Sequence, residues 1–86
     1  MMISHNRILI IEDDEIYRFE LSDFLEQAGY EVFQATTGQN ANEQIDFYDI
    51  NLLILDLSLP GLNGFEIARQ VKAVHSALGI IVLTGR

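Results

Sequence analysis

Three continuous apolar runs punctuate the chain: Ile8-Leu9-Ile10-Ile11, Leu52-Leu53-Ile54-Leu55 and Ile80-Ile81-Val82-Leu83. Each is too short for a helix and lacks the polar alternation of a half-solvated strand. Each therefore predicts a strand buried on both faces of a parallel sheet. Between the runs the period changes. Tyr17, Leu21, Phe24, Leu25 and Ala28 recur at i, i+4, i+7, i+8 and i+11, which predicts an amphipathic helix with Tyr17 and Phe24 in the core. Gly29 follows where a helix needs a C′ residue, and Tyr30 to Ala35 predicts a further short strand. Thr36-Thr37-Gly38 reads as a turn, and Gln39 to Phe47 as a helix whose only large apolar residues are Ile45 and Phe47. Pro60, Gly61 and Gly64 break the chain after the Leu52 run, and Ile67, Ala68 and Val71 then sit at helical spacing before Gly79 opens the last run. Strands and helices alternate in the order βαβαβαβ. This predicts an α/β fold with a doubly wound parallel sheet, helices on both faces and a working site beyond the carboxyl ends of the strands.

Eighty-six residues are enough for one small domain. Hydrophobic residues at 49% and charged residues at 21% match a folded globular protein and not a disordered one. Thirteen acids against five bases give a net charge of −8, so this segment is expected to bind neither nucleic acid nor an anionic membrane directly. There is no cysteine, which removes disulfides and thiolate chemistry and fits a reducing compartment. No signal-like segment and no run of about 20 apolar residues is present, and the expected location is cytoplasmic.

Polar groups follow directly on three of the strands: Glu12-Asp13, Asp56 and Thr84. The predicted topology gathers them at one edge, where three converging carboxylates repel unless a cation lies among them. A hard divalent ion such as Mg²⁺ suits that oxygen-rich setting. A carboxylate beside such an ion can attack phosphorus, and a hydroxyl such as that of Thr84 can donate to a phosphoryl oxygen.

The stretches Ile8-Leu9-Ile10-Ile11-Glu12-Asp13-Asp14, Asp56-Leu57-Ser58-Leu59-Pro60-Gly61-Leu62-Asn63-Gly64 and Ile81-Val82-Leu83-Thr84-Gly85 together resemble the response-regulator receiver (CheY-like) family of two-component systems. The resemblance implies a flavodoxin-like sheet with strand order 2-1-3-4. It implies phosphorylation of Asp56 by a sensor histidine kinase or a phosphotransfer protein, with Mg²⁺ held by Asp13, Asp56 and the Ser58 carbonyl, and by Glu12 through water. Glu12-Asp13 resembles the family's metal pair better than Asp13-Asp14, because Arg18 lies six residues beyond Glu12 as a basic residue often does. Asp14 is then left to cap the first helix. Thr84 matches the switch hydroxyl, Gly85 the small residue beside it, and Arg86 the next position, which influences phosphoryl lifetime.

Receivers continue through a fourth helix, a fifth strand bearing a Lys that contacts the phosphoryl group, and a fifth helix. The expectation is therefore that residues 1–86 form the N-terminal, incomplete part of one receiver domain. Such a chain would form a homodimer or larger assembly through the exposed edge of its fourth strand, and the longer protein would control an output such as transcription. The chain is expected to be a phosphoacceptor and not an enzyme. One alternative is a degenerate receiver serving only as a protein-interaction module, against which the intact acids argue. A haloacid-dehalogenase type of phosphohydrolase needs a second acid where Ser58 stands, and no phosphate-binding Gly-rich loop with Lys supports nucleotide hydrolysis. Gly29, Gly38 and Gly79 read as turn residues, and His5 and His75 as exposed.

Overall fold

The computed structural model describes residues 6–35, 38–56 and 64–83. Strands β1 (Arg7–Ile11), β2 (Glu31–Ala35), β3 (Leu52–Asp56) and β4 (Gly79–Leu83) alternate with helices α1 (Glu15–Gln27), α2 (Gly38–Tyr48) and α3 (Gly64–Val74). The sheet order is β2-β1-β3-β4 and all three pairings are parallel, so the expected topology is the one observed.

The runs of β1 and β3 are continuous because successive side chains of a strand face opposite sides and both sides are covered, whereas the β4 run, expected to be buried on both faces, is only half-covered at the edge of the described sheet. Leu9, Ile11, Leu53 and Leu55 pack on one face with Ala41 and Ile45 of α2 and Ile67 and Val71 of α3. Ile8, Ile10 and Ile54 pack on the other with Leu21 and Leu25 of α1.

Helix α1 uses a different stripe from the expected one. Its wholly buried residue is Ser22, flanked by Leu21 and Leu25 against the sheet, while Tyr17 is only half-buried and Phe24 is 69% exposed. Residue 24 lies about 100° around the helix from residue 25. A face centred on 21, 22 and 25 therefore carries Phe24 to its flank. In α2 the burial falls on Ala41 and Ile45, whereas Phe47 is 80% exposed. The small Ala41 lets a helix with little apolar bulk lie close to the sheet.

Gly29 holds a φ of 104°. The Gly29 N–H donates to the Glu26 carbonyl at 3.0 Å and the Tyr30 N–H to the Leu25 carbonyl at 3.1 Å, the paired bonds of a Schellman stop. Gly79 has another role than the expected turn. It opens β4 opposite Leu52, where an added Cβ would meet Leu52 Cδ1 at 3.2 Å. Gly38 opens α2, and Thr36 and Thr37 lie outside the described residues.

His75 is half-buried and not exposed as expected, with Nδ1 3.8 Å from Asp46 Oδ1 across the α2–α3 junction. His5 lies outside the described residues. Strand β4 pairs with β3 alone among the described residues, and its Ile81 is 45% exposed. No described helix is long and apolar enough to cross a membrane.

Candidate functional site

The register of the sheet brings two acids together. Ile11 pairs with Leu55 across β1 and β3, and Glu12 and Asp56 each follow that pair by one residue. Parallel neighbours lie about 4.8 Å apart, so the two carboxyl-bearing residues stand side by side at the carboxyl ends of adjacent central strands. Both are buried: Glu12 is 0% and Asp56 2% exposed. Acids are rarely buried so completely unless something holds the charge.

The turn after β1 divides its acids among distinct tasks. Glu12 turns inward, and its Oε2 accepts the Asp14 N–H at 2.9 Å. Asp14 sits in extended conformation at the N-cap of α1, where its Oδ1 accepts the Tyr17 N–H at 3.1 Å. The expected cap is thus formed, satisfying one of the donors left open in a first helical turn. Glu15 begins the helix, where an acid favours the dipole. Asp13 lies between the inward acid and the cap, and is exposed.

The expected convergence of three carboxylate side chains is not what this geometry shows. Among the described residues no group of three or more His, Cys, Asp or Glu is gathered so as to hold a metal ion. The physical reason lies in the chain path. Glu12 continues the direction of β1 into the interior, whereas Asp13 stands in the bend that turns toward α1. The donor chemistry still fits Mg²⁺, which takes hard oxygen ligands and commonly uses only one or two protein carboxylates, completing its shell with water and phosphate oxygens. The Ser58 carbonyl and the Thr84 hydroxyl lie outside the described residues, as do Gly85 and Arg86.

Arg18 reaches this end of the sheet from α1. Its Nη1 donates to the Glu12 carbonyl at 2.6 Å and its Nε to Gln34 Oε1, at the end of β2, at 2.8 Å. The spacing of Arg18 from Glu12 is visible in the sequence, whereas the Gln34 partner is not, since no local pattern links two residues sixteen apart. Other basic residues serve the opposite end. Arg7 binds Glu31 and the Tyr48 carbonyl, and Lys72 Nζ donates to the Leu78 carbonyl at 2.6 Å just before β4.

Comparison with known proteins gives one consistent result. The family described as "Response regulator receiver domain" matches residues 8–86. The chain is 42% identical over 79 residues to the aerobic respiration control protein ArcA of Escherichia coli K12, covering 92% of this chain but only 33% of that protein. It thus spans about a third of the length of this curated relative. Among solved structures it resembles the response regulator TrrA of Thermotoga maritima in complex with Mg²⁺ and a beryllium fluoride, with TM-score 0.82 and 32% identity over 94% of this chain and 70% of that one. It matches TrrA equally in its complex with the histidine kinase ThkA, with TM-score 0.81 and 32% identity over 93% of this chain and 69% of that one.

Proposed function

The chain belongs to the response regulator receiver domain family, the signalling modules of two-component systems, and on that premise we propose that residues 1–86 belong to one receiver domain whose phosphoacceptor is Asp56. The observation that carries the reading is the burial of Asp56 beside Glu12 at the carboxyl ends of β3 and β1. A carboxylate oxygen of Asp56 attacks the phosphorus of a phosphohistidine. A P–O bond forms, the P–N bond breaks, and the leaving imidazole takes up a proton. Asp13, Asp56, the Ser58 carbonyl and, through water, Glu12 would hold Mg²⁺, which offsets charge on the phosphoryl oxygens when bound. Thr84 supplies the hydroxyl that donates to the phosphorylated carboxyl group.

The donor is a sensor histidine kinase or a phosphotransfer protein, a reading supported by the kinase complex of TrrA. The chain is a switch modified once per cycle and not an enzyme turning over a small metabolite. It works in the cytoplasm, as one part of a protein whose output is a response such as transcription. Its charge of −8 keeps this segment off nucleic acid and anionic membranes.

Metal titration by calorimetry tests the ligand assignment. Asp13→Asn and Asp56→Asn are each expected to weaken Mg²⁺ binding at least about tenfold, a loss seen even for partners outside the coordination shell. Unchanged affinity in both variants would remove the site from this end of the sheet. Association of two or more copies through β4 is the remaining element of the proposal, since Ile81 is 45% exposed on a strand whose outer edge is unpaired among the described residues. Light scattering of the 86-residue chain at micromolar concentration is expected to give at least the dimer mass, and a stable monomer would exclude it.

A further inference from the structure

A chain of polar contacts links the acidic turn to elements that never touch the candidate metal. The Asp14 N–H holds Glu12 at its Oε2 and Arg18 Nη1 holds it at its carbonyl. The carbonyl contact has a directional consequence. The Glu12 carbonyl, the Asp13 N–H and the Asp13 Cα share one rigid peptide plane, so whatever fixes that carbonyl also fixes where the Asp13 side chain begins. The second Arg18 donor, Nε, is bound to Gln34 Oε1 on the edge strand β2. Gln34 is itself tied to α2, its backbone carbonyl accepting Gln44 Nε2 at 2.9 Å while the same Nε2 donates to Asn40 Oδ1 at 2.8 Å.

We propose that Arg18 is a positioning residue: gripping the Glu12–Asp13 peptide against Gln34, it sets the direction in which the exposed Asp13 presents its carboxylate to a divalent cation. The role rests on the reading of Asp13 as a metal ligand given above. It requires arginine, because a planar guanidinium offers donors in two fixed directions, here to the Glu12 carbonyl just after β1 and an amide oxygen on β2, whereas the single ammonium of lysine cannot hold both at these distances. Second partners that orient a ligand commonly govern affinity for the metal and leave the reacting groups untouched.

Two readouts on the whole chain decide the matter. The first needs no metal: amide hydrogen exchange in Arg18→Ala, Arg18→Lys and Gln34→Ala. The Asp14 amide, whose bond to Glu12 depends on the held turn, is expected to exchange faster in all three, most in Arg18→Ala. The amides of Leu53 and Leu55 in β3 keep their wild-type protection. Unchanged exchange at Asp14, or an equal loss throughout β3, would overturn the proposal, the second by showing Arg18 to be a general structural support. The second readout is the Mg²⁺ dependence of labelling by acetyl phosphate. In Arg18→Ala the half-saturating Mg²⁺ concentration is expected to rise about 10- to 100-fold, with the rate at saturation within about twofold of wild type. Arg18→Lys should fall between. A lower saturated rate with unchanged Mg²⁺ dependence would contradict a positioning role. If the wild-type chain neither binds Mg²⁺ nor is labelled, the phosphoacceptor reading fails, and the metal-free exchange arm still decides whether Arg18 holds the turn.

Discussion

Asp56→Asn is expected to abolish phosphorylation while leaving the domain folded. The substitution keeps the shape of the side chain and removes its nucleophilic charge. Loss of the attacking group should lower labelling by acetyl phosphate at least about 10³-fold, since removing a nucleophile forfeits nearly all of the chemical step. Stability should move the other way. Asp56 is 2% exposed and stands one strand from the fully buried Glu12, so a neutral amide relieves repulsion between two acids in a poorly solvated place. The thermal midpoint followed by circular dichroism is expected to match wild type or exceed it. Labelling of the variant at the wild-type rate would move the acceptor to another residue. A large drop in midpoint would show that Asp56 is held by contacts the fold depends on.

The largest effect on stability is expected from Leu53→Ala. Leu53 is fully buried in β3 between β1 and β4, within the cluster that includes Leu9, Ile45 and Val71. Large-to-small changes at such positions cost about 2–5 kcal/mol, against a total stability of about 5–15 kcal/mol for a natural domain and less for a small one. The midpoint should therefore fall by more than about 10 °C, or cooperative unfolding should disappear. Ile81, 45% exposed on β4, is the internal comparison, because its truncation removes far less buried area. A melting curve of Leu53→Ala within a few degrees of wild type would contradict the placement of β3 at the centre of the sheet.

The sheet was legible because its two central strands are buried on both faces. That condition forces uninterrupted apolar runs, and Ile8–Ile11 and Leu52–Leu55 have little other use in a chain of this length. Helix α1 was legible as an element but not in its orientation. The pattern at 17, 21, 24, 25 and 28 and the one at 18, 21, 22 and 25 overlap, and the choice depends on where the helix axis crosses the sheet. The structure takes the second, placing the small Ser22 against the sheet and leaving Phe24 outside. Helix α2 gave a weak signal because its contact with the sheet is made by Ile45 and the small Ala41, which few hydrophobic patterns weight heavily.

Within the site, Glu12 and Asp56 could be placed from strand ends alone, since register follows from parallel pairing. The cap at Asp14 followed from its position before a helix. The exposure of Asp13 did not, because a bend decides it, and the Arg18–Gln34 contact depends on the packing of α1 over β2, which no local spacing encodes.

Everything proposed for this site turns on Asp56 as the acceptor. The most direct test is to phosphorylate the chain with acetyl phosphate in saturating Mg²⁺, reduce the acyl phosphate with borohydride, digest and sequence the peptides by tandem mass spectrometry. Trypsin cannot resolve the question by peptide mass, because no Lys or Arg separates Arg18 from Arg69 and that span also holds Asp23, Asp46 and Asp49. Fragment ions are needed. Conversion to homoserine is expected at position 56 and nowhere else, dependent on Mg²⁺. Conversion at another aspartate, or none at full Mg²⁺ saturation, would contradict it.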